Sequence, residues 1–118
     1  MDTITIYQKP TCTTCRQVYA ALKASGVDVE NVNYYLEPLS KSKLKELLVK
    51  LAMEPRGLLR TKEAIYRKLD LAKKELSDND LLDLMVKHPD LIQRPIVERG
   101  SKAMLARPAE RIQTWLSS

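Results

Sequence analysis

Cys12 and Cys15 stand three residues apart, and they are the only cysteines in the chain. The thiolate, not the thiol, is the nucleophile. The residues before the pair, Thr3-Ile4-Thr5-Ile6-Tyr7, alternate with period two and are rich in β-branched side chains, which predicts a strand. Pro10 ends it. Thr11 is the expected N-cap of a helix from Cys12 to Ser25, with Val18, Ala21 and Leu22 at helical spacing and Gly26 as its stop. A helix N-terminus offers unpaired N–H groups and a partial positive charge, so a cysteine placed there has a lowered pKa. Cys12 therefore reads as the attacking thiolate. Cys15 lies one turn further in and reads as a more buried, resolving thiol. Lys9 and Arg16 can add positive potential. The bland alternative is two small buried apolar cysteines, which the strand–turn–helix context disfavours.

Only His88 could join the cysteines on a metal, so a four-ligand zinc site is disfavoured and no metal is expected. The 118 residues suit a single domain, 1–118, with one core. There is no Phe, so Leu, Ile, Val and Ala must fill that core. No apolar run approaches the roughly 20 residues of a membrane span, and Met1-Asp2-Thr3 lacks the features of a signal peptide. The expectation is a cytoplasmic protein, a compartment in which Cys-x-x-Cys is more often catalytic or redox-active than a structural staple. The net charge of +5 permits an anionic small substrate, an acidic protein partner or nucleic acid. The basic residues are scattered without interleaved aromatics, which argues against direct nucleic-acid binding.

The remaining elements must position the cysteines. Val29–Leu36 is a second strand, with Val32, Tyr34 and Leu36 alternating, so strand, helix and strand make a parallel βαβ unit. Ser40 opens a helix whose Leu44, Leu47, Leu48 and Leu51 share a face. Pro55-Arg56-Gly57 is a break. A helix follows from Lys62 to about Leu69, with Ala64, Ile65 and Leu69 inward, and another from Asp78 to Lys87 behind the cap cluster Ser77-Asp78-Asn79-Asp80. Pro95–Glu98 and Ala103–Ala106 form a β-hairpin around Arg99–Lys102, and Pro108 fits position N1 of a last helix, Ala109 to Leu116. Tyr34, Tyr35 and Trp115 read as core or sheet-face residues. His88 sits at a helix C-terminus, where a cation is favoured. The order βαβ, three helices, ββα is an α/β, thioredoxin-like arrangement with a helical insertion at about 40–88 between its halves. In such folds a proline before the third strand, here Pro95, is commonly cis.

The chain also resembles the glutaredoxin-coupled arsenate reductase family, which includes the related Spx regulators. The resemblance rests on Tyr7-x-x-Pro10-x-Cys12 with Arg16, Tyr34-Tyr35-Leu36, Leu58-Leu59-Arg60, Leu91-Ile92-Gln93-Arg94-Pro95-Ile96-Val97 and Arg107-Pro108-x-Glu110. It implies a nucleophile at Cys12 and an oxyanion held by Arg60, Arg94 and Arg107. Guanidinium forks suit that task, because they offer several fixed donors and do not lose their charge. It further implies attack of Cys12 on arsenic(V), reduction by glutathione as cosubstrate and glutaredoxin as partner, and no bound metal or organic cofactor.

Two positions depart from the reductases' pattern. They typically have His where this chain has Gln8, and Ser where it has Cys15. The vicinal thiol opens an internal disulfide route and matches Spx, whose members use Cys-x-x-Cys as a redox switch while binding RNA polymerase. Spx proteins, however, lack the Arg-Pro-x-Glu feature and carry a glycine about where Ala52 falls. The expected function is therefore an arsenate reductase-like thiol oxidoreductase. One alternative is an Spx-like regulator that binds RNA polymerase through its α subunit. The other is a general thiol–disulfide oxidoreductase.

Overall fold

The computed structural model describes residues 3–116. Met1 and Asp2, part of the start read above as lacking a leader, lie outside them. The chain divides into two compact units, Met1–Glu37 with Arg94–Ser118, and Pro38–Gln93.

The first unit is built on a four-stranded sheet in the order β2-β1-β3-β4. The strands are β1 (Thr3–Gln8), β2 (Asp28–Asn33), β3 (Ile96–Arg99) and β4 (Lys102–Leu105), with helices α1 (Thr13–Ala24) and α5 (Arg111–Leu116). β1 runs parallel to β2 and antiparallel to β3, and β3 pairs antiparallel with β4. This is the thioredoxin-like topology expected. Alternation along β1 turns Ile4 and Ile6 to one face, where they join Val97 and Met104 from the hairpin, Val18 and Leu22 from α1, and Ile112 from α5. Ile4 and Ile6 are fully buried, worth roughly 1.5–3 kcal/mol each.

The other face of the sheet carries Tyr7 and Glu98, both buried. The Tyr7 hydroxyl donates to Glu98 Oε1 at 2.6 Å. Tyr7→Phe removes a donor from a buried carboxyl group, so it is expected to cost about 1–3 kcal/mol in chemical denaturation. An unchanged unfolding midpoint would contradict this.

The second unit contains α2 (Lys41–Leu51), α3 (Ala64–Lys68) and α4 (Asp78–Lys87), with 3-10 turns at Pro55–Leu58 and Pro89–Leu91. Ser40 caps α2 by accepting from the Lys43 N–H, and Ser77 and Asp80 form a reciprocal capping box on α4. α2 packs on α4 through faces that bury Leu44, Leu47 and Leu48, and Leu81, Leu82 and Met85. Lys41 and Asp83 tie the two helices at 2.9 Å. Leu59 and Ile92 form an antiparallel bridge, flanked by Arg60 N–H to Leu91 O at 2.8 Å and Gln93 N–H to Leu58 O at 2.9 Å.

Several boundaries differ from expectation. β2 stops at Asn33, because β1 offers no partner beyond Gln8, and Asn33 folds the chain back. Its Oδ1 accepts from the Tyr35 N–H, and its carbonyl from those of Leu36 and Glu37. Tyr34-Tyr35-Leu36 is thus a turn rather than strand. α3 is shorter than predicted and ends where Asp70 takes a left-handed φ of 55°, and Ala64 is exposed rather than inward. The hairpin turns through Gly100 and Ser101, with Gly100 at φ 58°, a conformation that suits glycine. Pro108 does not open α5. Residues 108–112 make tight i to i+3 bonds, and the helix begins at Arg111.

Candidate active site

Cys12, not Thr11, caps α1. A turn closed by Cys12 N–H to Lys9 O at 2.9 Å sets the Cys12 backbone in an extended conformation. Its Sγ then accepts the Cys15 N–H at 3.3 Å, doing with sulfur what a serine cap does with oxygen. Cys12 is half-buried and Cys15 fully buried, and both are free thiols.

Burial pushes the Cys12 thiol up. The Cys15 thiol and backbone N–H, together with the hydrogen bond and charge of Arg94, more than offset that and hold Cys12 below the ordinary cysteine value. Cys15 moves the other way: burial, and its role as donor to the Cys12 sulfur, push it up to about 12. The two shifts run in opposite directions, so Cys12 is the cysteine that ionises first and Cys15 the one that keeps its proton. A depressed folded pKa keeps Cys12 charged to lower pH. The stability it contributes is present above the unfolded value of about 8.5 and is lost as pH falls through the folded pKa. The iodoacetamide alkylation rate of Cys12 should therefore rise with pH with a midpoint below about 8.5. A midpoint at or above that value would contradict the assignment.

Arg94 is only 7% exposed. Its Nη1 donates to the Tyr35 hydroxyl at 3.4 Å, and its carbonyl accepts from Arg107 Nη1 at 3.0 Å. Pro95 follows through a cis bond, as expected of the fold, and its carbonyl accepts the Ala106 N–H; the Arg107–Pro108 bond is also cis. The end of β1, the start of β3 and the end of β4 thus gather Cys12, Cys15, Arg94, Pro95 and Arg107. A thiolate beside a fork of guanidinium donors can attack a bound electrophilic oxyanion.

Each of the other expected residues has its own setting. Gln8 is buried at the end of β1, where Nε2 donates to Asn31 Oδ1 and Oε1 makes no hydrogen bond. Arg16 has an exposed side chain in the first turn of α1. Arg60 belongs to the second unit, where its Nε meets Glu63 Oε1 at 2.9 Å. His88 caps the C-terminus of α4.

Tyr35, read above as a core or sheet residue, instead stands at the site. Its ring lies under Lys9 Nζ, 4.8 Å from the centroid, and stacks on buried Tyr34 at 5.0 Å. The readable signal was Asn33, a turn former two residues ahead. Tyr35→Phe keeps the ring and removes the acceptor for Arg94. It is expected to slow Cys12 alkylation at neutral pH by about 2- to 10-fold, the equivalent of one hydrogen bond. An unaltered rate would mean that the hydroxyl does not orient the guanidinium.

The model of the family described as "ArsC family" matches residues 7–115. An arsenate reductase of Escherichia coli is 36% identical over 110 residues, spanning 93% of this chain and 78% of that protein. The solved arsenate reductase from Vibrio cholerae superposes with a TM-score of 0.90 at 34% identity, covering 96% of this chain and 97% of that one. The global transcriptional regulator Spx of Streptococcus pyogenes is 32% identical over 114 residues, 97% of this chain and 85% of that protein. Matched over nearly its whole length in sequence and in fold, this chain belongs to the ArsC family.

Proposed function

We propose that the protein is an arsenate reductase-like thiol oxidoreductase in which Cys12 is the nucleophile and Arg94 and Arg107 serve the oxyanion. The observation that carries the reading is the Cys12 sulfur at the N-terminus of α1, on the Cys15 N–H, with the buried Arg94 guanidinium helping to hold its pKa below the ordinary value. The Cys12 thiolate attacks arsenic(V), and one oxygen leaves as water. Two thiols supply the two electrons that take arsenic(V) to arsenic(III), and they end as a disulfide. Glutathione as cosubstrate and glutaredoxin as protein partner fit that stoichiometry, in a reducing compartment such as the cytoplasm. No step calls on a metal or a bound organic cofactor. The test is arsenite formation from arsenate with glutathione and glutaredoxin. Turnover that requires enzyme and both thiol components is expected, and none above the enzyme-free background would overturn the reading.

The two free thiols in Cys-x-x-Cys favour one second reading, an Spx-like redox-controlled regulator. Its test is capture of the carboxy-terminal domain of the α chain of RNA polymerase. Capture that changes between reducing and oxidising conditions would support the reading. No capture in either state would count against it.

A further inference from the structure

We propose that Cys12 and Cys15 together form a chelating site for trivalent arsenic, one arsenic atom bonded across both sulfurs at the N-terminus of α1. Both thiols are free, and Cys12 Sγ lies 3.3 Å from the Cys15 nitrogen. Cys12 is the N-cap of α1 and Cys15 lies three residues on in its first turn, a spacing that puts both side chains on the same side of the helix end. Cys12 is the half-exposed partner and Cys15 the fully buried one, which makes Cys12 the point of entry.

The donor set selects the ligand. Two sulfurs are soft donors, and no cluster of three or more His, Cys, Asp or Glu suited to a metal exists among the described residues. Zinc, which takes four ligands in a structural site, is poorly matched. Trivalent arsenic is pyramidal. It accepts two neighbouring sulfurs and leaves its third position, a hydroxyl or an organic group, for solvent.

The reaction balances without a redox partner. Arsenous acid reacts with the Cys12 thiolate and the Cys15 thiol: two As–O bonds and the Cys15 S–H bond break, two As–S bonds form, and two waters leave, the first taking its extra proton from solvent and the second from Cys15. Arsenic stays trivalent throughout. The proton of Cys15 departs with the second hydroxyl as water, so its raised pKa is no obstacle. The site shares Cys12 with the proposed reductase reaction but does not rest on turnover. If turnover occurs, the same chelate makes the enzyme sensitive to its own product, with Cys15 setting that sensitivity.

The experiment titrates the reduced full-length chain with phenylarsine oxide and with sodium arsenite. Intact mass and free-thiol content are read in excess glutathione, beside arsenate turnover. Wild type is expected to bind one arsenic, lose both titratable thiols, resist glutathione and release the arsenic to dithiothreitol. Cys12→Ser and Cys15→Ser, each checked by its unfolding curve, should bind about 10²-fold more weakly, because joining two bonds on one scaffold raises effective concentration. Wild-type binding that glutathione strips, or binding no tighter than in either folded variant, would overturn the proposal; the wild-type arm stands even where a variant does not fold. Chelation without arsenate turnover would sink the reductase reading alone, and turnover without chelation would sink this site alone.

Discussion

Cys12→Ser is expected to abolish arsenate-dependent arsenite formation, a loss of at least about 10³-fold, because the reaction loses the atom that bonds to arsenic. A serine hydroxyl can still accept the Cys15 N–H, so the cap on α1 survives and the fold should be nearly unchanged. Its oxygen is not ionised at neutral pH, and that chemical difference is the one under test. Cys15→Ser should behave differently. Cys15 donates to the Cys12 sulfur from its backbone N–H and its side chain, and serine retains both kinds of donor. Turnover with glutathione and glutaredoxin should persist, since the electrons then come from added thiols. Equal losses in the two variants would instead make Cys15 an obligatory resolving thiol. Full activity in Cys12→Ser would remove Cys12 from the chemistry.

The second large effect is expected at Arg94. Arg94→Gln keeps a polar side chain but removes the charge that lowers the Cys12 pKa and the fork proposed to hold the oxyanion. Loss of one preorganised donor at a site of developing charge costs on the order of 10²- to 10³-fold in kcat. The Cys12 alkylation profile should move to higher pH in the same variant, because the stabilised form is the thiolate. Arg94→Lys restores the charge without the bidentate geometry, so it should recover the pKa better than it recovers turnover. A Cys12 profile that does not move in Arg94→Gln would show that the helix terminus and Cys15 suffice to hold the thiolate.

Local patterns in the chain foretold much of the fold. The period-two run Thr3–Tyr7, the leucine face of α2 and the Ser77 cap cluster each signal an element by themselves, and each element formed. Boundaries failed where a partner, rather than a propensity, decided. Tyr34 and Leu36 keep strand alternation, but β1 ends opposite Asn33, so the chain turns there. Thr11 is the better cap by residue type; the Lys9–Cys12 turn hands the position to a sulfur instead.

Within the site, Cys12 and Cys15 were legible from spacing alone. Arg94 and Arg107 were legible only as parts of motifs. Their mutual bond links residues thirteen positions apart and follows from the β3–β4 pairing, which brings Ala106 N–H onto Pro95 O. The Tyr7–Glu98 hydrogen bond spans ninety-one positions, a separation that local pattern does not read. Tyr35 was hidden for a similar reason, because its role depends on Arg94 and Lys9, neither adjacent in sequence.

The central claim is that the Cys12 thiolate and its arginines form one oxyanion site. The most direct test is the rate of Cys12 alkylation by iodoacetamide with increasing arsenate, in the absence of reductant, for wild type and Arg94→Gln. If they form one site, arsenate slows the wild-type reaction saturably and protects Arg94→Gln far less. A wild-type rate indifferent to arsenate up to concentrations that saturate turnover would contradict the claim.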